Sequence, residues 1–326
     1  MNDMAEPKGV RRRRFLQAVG VVAGATLLVA NGVTLAHAAP CEGADSLVRP
    51  DPTVHHEDER GRILLADSLT HFEATGGPRD VAVAASFAGI PTSAVPMARG
   101  VRGWIAHEAG PGLEEAGVAG LAFAGDNGIP AAAIATMEAG LSDGPSLLTG
   151  AVAHANAPAR AVGIAPGMTG EEAAMRMLDA PEGRPVDASD AFDGEVRRVA
   201  GNESAGIYTA WSIGLIENCR PNDVFAVASH AGAVMGDYAA PVGPKGIIAN
   251  DAGVGANETG IAGLARLDEL GIAAATVATG SARVGDPTST YRDGTISHAN
   301  ETARAAGVRV GQSARDAARL MLEART

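Results

Sequence analysis

The sequence predicts an α/β protein of two tandem, pseudo-symmetric β-α-β repeats with parallel sheets, in a three-layer, Rossmann-like arrangement. The stretch from Gly103 to Thr136 recurs from Gly246 to Thr279, and 18 of these 34 aligned residues are identical. Within each copy, short apolar runs alternate with helical patterns, which is typical of parallel strands joined by crossover helices. Aromatic residues make up only 3% of the chain, so small side chains must pack the layers closely.

The repeats extend beyond this best-matching stretch. One residue inserted near Asp293 changes the offset between the copies from 143 to 144, after which His154-Ala155-Asn156 aligns with His298-Ala299-Asn300. We therefore predict one repeat over 61–181 and the other over 205–326, with a linker over 40–60 and a polar connector over 182–204.

Matching elements are predicted in the same order in both copies. Buried strands are expected at 80–85, 103–106 and 131–135, and at 223–228, 246–249 and 274–278. Helices are expected at 114–126 and 257–270, each followed by a glycine suited to a left-handed helix end, Gly128 or Gly271. A further helix is predicted to begin near Ala151 or Thr295. The last helix opens with the capping box Thr169-x-x-Glu172 or the similar Ser313-x-x-Asp316.

The N-terminus combines arginines with an apolar run. The segment Arg12-Arg13-Arg14-Phe15-Leu16-Gln17, followed by a Gly/Ala/Val-rich stretch, resembles a twin-arginine translocation signal. The resemblance implies export through the Tat translocase to the periplasm or the medium. Small residues at Ala36-His37-Ala38-Ala39 favour cleavage, so 1–39 is predicted to be a signal peptide, and a retained membrane anchor is the alternative.

Charge and cysteine content narrow the partners. The net charge is -12 and the basic residues beyond the N-terminus are scattered, which argues against nucleic-acid binding. Cys41 and Cys219 are the only cysteines, and an exported chain can hold them as one disulfide or as two free thiols. A small-molecule ligand is the expected partner, and a homo-oligomer is left open.

Polar residues follow the predicted strands, where ligands bind in parallel α/β sheets. From the second copy we predict Ser229, His230, Asp251 and His298 as catalytic residues, with Asp251 or His298 carrying protons and Ser229 as nucleophile. Structural roles are the alternative, because serines also close turns, histidines bond loops and carboxylates cap helices. The predicted binding residues are Asn250, Gly253, Gly255, Glu258, Ser281, Arg283, Asp286, Asn300 and Glu108.

Two ligand classes, a phosphate and a divalent metal, are alternatives at the carboxyl ends of the predicted strands. Asp251-Ala252-Gly253-Val254-Gly255 suggests a phosphate loop, but its glycine spacing matches no nucleotide motif, and Asp251 and Glu258 would repel a phosphate. A divalent metal held by Asp251, Glu258 and Asp286, with His298 as a further ligand, is the second option, although no familiar metal-binding spacing supports it. Apart from this metal option, no cofactor is predicted.

The strings Ser229-His230-Ala231-Gly232 and Asn250-Asp251-Ala252-Gly253-Val254-Gly255 resemble those of a recurring kind of uncharacterised bacterial α/β protein, which implies no particular activity. We expect an exported small-molecule enzyme of the hydrolase or lyase type, with its site at the carboxyl ends of the strands. The alternatives are an exported solute-binding protein for a cationic or polyhydroxyl ligand and a metal-dependent hydrolase.

Overall fold

Two six-stranded sheets form the frame of the protein. The structure, a computed structural model, describes residue 41 and residues 50–191 and 193–325, so the predicted signal peptide lies outside the described residues. The strands of the first half are β1 Thr53–Asp58, β2 Gly61–Ala66, β3 Asp80–Phe87, β4 Gly103–His107, β5 Ala131–Ile134 and β6 Val152–Ala155. Those of the second half are β7 Arg197–Gly201, β8 Gly206–Ala210, β9 Val224–His230, β10 Gly246–Asn250, β11 Ala273–Val277 and β12 Ile296–Ala299.

The strands of each sheet lie in chain order, from β1 to β6 and from β7 to β12. The four central strands are parallel, and the first and last strands pair antiparallel with their neighbours. The predicted fold class, two tandem α/β repeats with mostly parallel three-layer sheets, is confirmed. The antiparallel edge strands make both sheets mixed.

Helices cover both faces of each sheet. In the first half they are α1 Ile90–Ala98, α2 Gly120–Asp126, α3 Ser146–Thr149, α4 Ala157–Ala161 and α5 Gly170–Met177. In the second half they are α6 Met235–Ala239, α7 Gly263–Glu269, α8 Pro287–Arg292, α9 Glu301–Ala305 and α10 Ala314–Glu323. One apolar core of the first half lies between the sheet and α1 and α2, and the other between the sheet and α3, α4 and α5.

Local sequence explains several of these elements. Every residue of β3 is buried, as expected for a strand with helices on both faces. Thr169 and Glu172 form the predicted capping box of α5, and Ser313 caps α10 by accepting from the Asp316 N–H. Gly128 and Gly271 take φ of 72° and 70°, the left-handed conformation predicted for them.

Two helix predictions need correction. The helices expected from 114 and 257 begin only at Gly120 and Gly263, because the preceding loops contain many residues with positive φ. The helices predicted near Ala151 and Thr295 are wrong, since the chain there forms β6 and β12 at the sheet edge. Strands of four residues carry too little periodicity to be distinguished from the start of a helix.

The segments outside the predicted repeats also contain sheet strands. Strand β1 lies within 40–60 and β7 lies within 182–204, and each forms a hairpin with the next strand. Their sequences are dissimilar, so the internal comparison gave no signal for them. The chain after the first repeat is mostly exposed but bound to that half, because Val186 N–H donates to Met97 C=O and Gly183 N–H to Pro78 C=O.

The two halves pack together at the carboxyl ends of their parallel strands, a contact we call the seam. Phe87, Ala109, Leu141, Ala252 and Val284 form an apolar cluster there, with members from both halves. Hydrogen bonds also cross the seam, from Leu113 N–H to Thr279 C=O and from Leu141 N–H to the Thr259 hydroxyl. The halves are therefore joined by their strand-end loops.

A disulfide joins Cys41 to Cys219, with a Cα–Cα distance of 5.8 Å. It ties the chain before the first half to the loop between β8 and β9, across 178 residues of sequence. Within the described part of the chain, no helix has the length and apolar character needed to cross a bilayer.

Candidate functional site

A carboxylate and a histidine form the most distinctive polar pair at the strand ends of the first half. Glu108 follows β4 and His154 lies in β6, and the His154 Nε2 to Glu108 Oε1 distance is 2.8 Å. The Glu108 side chain is only 13% exposed, whereas the His154 side chain is 43% exposed. Strand β5 separates them and places Thr136 beside the carboxylate.

Thr136 holds the second oxygen of Glu108. Its backbone N–H and its hydroxyl donate to Oε2 at 2.8 and 2.7 Å. Burial would raise the pKa of Glu108, but the hydrogen bonds from Thr136 and His154 outweigh burial and lower this pKa below its ordinary value. Glu108 is therefore an anion at neutral pH, and an ionised carboxylate can only accept hydrogen bonds.

This charge state fixes the tautomer of neutral His154. Because Glu108 only accepts, Nε2 of His154 carries the hydrogen and donates it to Oε1. Glu108 is the one hydrogen-bond partner of His154 among the described residues. The unprotonated Nδ1 is thus available to take a proton from a bound molecule.

His154 lines an open groove of about 710 Å³ between α2 and β6. Val118, Leu121 and Phe123 give the groove an apolar wall. The charged residues of the lining are Glu114, Glu115, Asp126 and Arg160. A partly apolar groove with a few polar groups is the usual surrounding of a small-molecule site.

The second half does not reproduce this pair. Asp251, at the position of Glu108, accepts through Oδ1 from the N–H groups of Gly253 and Thr279. Nδ1 of His298, at the position of His154, lies 3.2 Å from the Ser297 hydroxyl and 3.4 Å from the Thr276 hydroxyl. The equivalent residues of the first half are alanines, Ala153 and Ala133.

His107 and Asn250, which precede these acids, have the same backbone partners. His107 Nδ1 accepts from Ala109 N–H, and Nε2 donates to Ala139 C=O. Asn250 Oδ1 accepts from Ala252 N–H, and Nδ2 donates to Ala282 C=O. Both side chains are fully buried and bonded to the loop backbone.

His230, at the end of β9, lies at the seam. Its Nδ1 accepts from Gly232 N–H at 3.0 Å. Burial, with repulsion from His107, lowers the pKa of His230 to about 4, so the ring is neutral at pH 7. A Cβ built on Gly232 would lie 2.9 Å from the hydroxyl of Ser142, which belongs to the first half.

Phe87 occupies the position of His230 in the first half, and its ring packs toward Gly285 across the seam. The seam therefore has a polar side and an apolar side. Ser229, next to His230, has a buried hydroxyl without a hydrogen-bond partner among the described residues. In the first half, the hydroxyl of Ser86 accepts from Leu69 N–H.

Most other predicted binding residues have structural contacts. Asn300 caps α9 and also bonds the backbone of Ala274, Ile272 and Leu264, which uses all of its donors and acceptors. Asp286 caps α8, and Ser281 closes its loop with Ala278 and Thr295.

The remaining predicted residues lie on the seam loops. Arg283 forms an ion pair with Glu114 of the first half at 2.7 Å. Gly253 packs against Gly110, Gly255 has a φ of 71°, and Glu258 is exposed in the 3₁₀ turn Ala256–Glu258.

The structure also bears on the metal hypothesis. Within the described ranges, no group of three or more His, Cys, Asp or Glu side chains is close enough to hold a metal ion. Asp251 and Asp286 instead accept from backbone N–H groups.

The sequence aligns His154 with His298 but does not predict His154 as a site residue. The available signal was the change from Glu108 to Asp251 at matched positions, since glutamate reaches one methylene farther.

Comparison of the chain with protein-family models, with curated proteins and with solved structures finds no match. The geometry of the chain itself is therefore the basis for a functional assignment.

Proposed function

We propose that the protein is a small-molecule enzyme of the hydrolase or lyase type, which uses His154 as its proton-transfer group. The observation that carries this proposal is the buried, anionic Glu108 bonded to a half-exposed histidine at the wall of a groove. Carboxylate–histidine pairs of this kind serve as general bases, because the carboxylate orients the ring and stabilises the imidazolium form.

In the proposed mechanism, Nδ1 of His154 removes a proton from a water or from a substrate carbon in the groove. Glu108 does not touch the substrate and acts as a positioning residue. Its negative charge stabilises His154 as the ring becomes cationic, and Thr136 keeps the carboxylate in place with two hydrogen bonds. The proton then passes from His154 to the leaving group.

The test uses p-nitrophenyl acetate for hydrolysis and a panel of 2- and 3-hydroxy acids for loss of water. We expect turnover by the full chain and a decrease of about 100-fold or more in His154→Ala. Glu108→Gln is expected to lower kcat and to move the pH profile, because the ring loses its charged partner. His298→Ala is the matched control from the second half and should retain activity.

Equal rates in the wild type and His154→Ala would contradict the proposal. Loss of activity only in Asp251→Asn and His298→Ala would place the chemistry in the second half instead. Tight retention of a small molecule by the purified protein without turnover would favour the solute-binding alternative. Circular dichroism of each variant checks that folding is unchanged.

We also propose that the protein is exported. The twin-arginine-like segment and the pairing of Cys41 with Cys219 support this, since disulfides persist in oxidising compartments. Replacing Arg12 and Arg13 by lysine should retain the chain inside the cell with free thiols, detected by fractionation and non-reducing electrophoresis. Unchanged export of that variant would refute the role of the arginine pair.

A further inference from the structure

The second half contains an open groove of about 440 Å³, away from the Glu108–His154 pair. Strands β7 and β8 and helices α8 and α10 line this groove. Its lining residues are Val199, Thr209, Thr288, Tyr291, Arg292 and Arg315. We propose that this groove binds a small organic anion through a carboxylate or phosphate group.

The two arginines of the groove lack acidic partners. Neither Arg292 nor Arg315 forms an ion pair or a hydrogen bond with a described residue, although the Arg315 guanidinium lies 5.7 Å from the centre of the Tyr291 ring. The chain has 38 acidic and 26 basic residues, so acidic partners are abundant. Two unpaired guanidinium groups at one groove therefore favour an anionic ligand.

Neighbouring carboxylates do not neutralise the groove. Asp293 follows Arg292 but accepts from the Ser289 hydroxyl and lies 3.7 Å from Arg283. Asp316 follows Arg315 but bonds Ser313 and lies 3.8 Å from Arg319. Both carboxylates thus have partners outside the groove.

Thr209 provides an independent observation. It is only 2% exposed, it lines the groove, and its hydroxyl makes no hydrogen bond with any described residue. The hydroxyl oxygen itself is not fully buried, so it can donate a hydrogen bond to an anion bound in the groove. The ring of Tyr291 and the side chain of Val199 would contact the apolar part of the ligand.

The first half serves as an internal comparison, because the same positions carry different chemistry there. Leu65 stands in place of Thr209, and Leu148 in place of Tyr291. His55 and Glu171 replace Val199 and Arg315, and they are bonded to each other at 3.2 Å. The anion-binding groups are therefore specific to the second half.

The test is titration of the isotope-labelled full chain with inorganic phosphate and with benzoate at constant ionic strength, followed by NMR. We expect saturable shifts of Thr209 and of residues in α8 and α10. Arg292→Gln and Arg315→Gln should each weaken binding about tenfold or more, because each removes charge-assisted hydrogen bonds. Thr209→Val keeps the side-chain volume and should weaken binding by a smaller factor.

Arg319→Gln is the control, since this arginine lies on α10 beside Asp316 and outside the groove lining. It should bind both anions as the wild type does. The proposal is overturned if neither anion gives saturable shifts, or if the groove variants bind as tightly as Arg319→Gln. Binding of one anion but not the other supports the site and identifies the group that it recognises.

Discussion

At the scale of single residues, the two halves show how one backbone pattern accepts different side chains. His107 and Asn250 occupy equivalent positions, and each offers one acceptor and one donor to the same two loop groups. Only His107 can titrate. In sequence, the difference between His107 and Asn250 suggests a change of catalytic chemistry. In the folded chain, both side chains make the same two backbone hydrogen bonds.

His230 predicts a pH dependence of stability. Its folded pKa of about 4 lies below the ordinary 6.5, so the unfolded state binds more protons between these values. The free energy of unfolding is therefore unaffected by His230 above about pH 6.5, and it decreases as the pH falls from 6.5 toward 4. Urea unfolding at pH 7.5 and pH 5 should show that His230→Phe, which copies Phe87, reduces this loss by roughly 1–3 kcal/mol.

His107→Asn is the companion variant. Burial also lowers the pKa of His107, and asparagine keeps both backbone bonds without a titrating ring. This variant should likewise reduce the loss of stability at low pH while unfolding near the wild-type urea concentration at pH 7.5. An unchanged pH dependence in both variants would show that other groups are responsible.

At the scale of elements, the edge strand and the helix after it form one unit in each half. Asn156 and Asn300 cap α4 and α9, and their side chains also bond the start of the adjacent strand, the loop just before that strand and the first turn of the preceding helix, α2 or α7. A single asparagine thus joins three elements. Asn300, which the sequence predicts to bind a ligand, has its side-chain donors and acceptors occupied by these backbone groups.

Asn300→Ala is expected to lower the free energy of unfolding by about 2–4 kcal/mol, because it removes a helix cap and leaves buried backbone groups without partners. Urea or thermal unfolding measures the change. Asn127→Ala is the control, since Asn127 is exposed and Phe123 C=O is its one side-chain partner among the described residues. Similar losses in both variants would contradict this role of Asn300.

At the scale of the whole molecule, the seam requires two glycines. A Cβ on Gly110 would lie 2.9 Å from the Cα of Gly253, and a Cβ on Gly253 would lie 2.9 Å from the Cα of Gly110. Both residues also have positive φ, 51° and 71°. The strand-end loops can approach this closely only without side chains.

Gly253→Ala should therefore lower the free energy of unfolding by about 2 kcal/mol or more, from backbone strain and overpacking together. Gly128→Ala is the matched control, because Gly128 has a φ of 72° and no atom within 4 Å of a built Cβ. It should lose only about 1 kcal/mol. Equal losses in calorimetry would mean that the halves do not pack tightly at Gly253.

Strands and helices could be predicted from sequence where their apolar pattern is long and regular. Strands such as β3 and β9 are continuous apolar runs, so their positions were evident. The edge strands β6 and β12 have four residues each, and β1 and β7 differ in sequence between the halves. Pairing with a neighbouring strand, which no local pattern encodes, determines these edges.

The candidate site was predictable in its location but not in its members. Glu108, Asp251, His154 and His298 all lie near strand ends, as the alternation of strands and helices implied. Glu108, which is one methylene longer than Asp251, bonds the histidine of its own half. His298 instead lies beside the hydroxyls of Ser297 and Thr276, which are alanines in the first half. Those distances exist only after the strands have paired.

The sequence by itself determined the duplication, the α/β class and the end of each sheet at which polar groups collect, because these follow from periodicity and from the polarity of parallel strands. The tertiary structure decided that Cys41 pairs with Cys219, that the halves meet at Gly110 and Gly253, and that Glu108 bonds His154 while Asp251 bonds backbone. These contacts join residues far apart in the chain, so their chemistry depends on distances that only packing fixes.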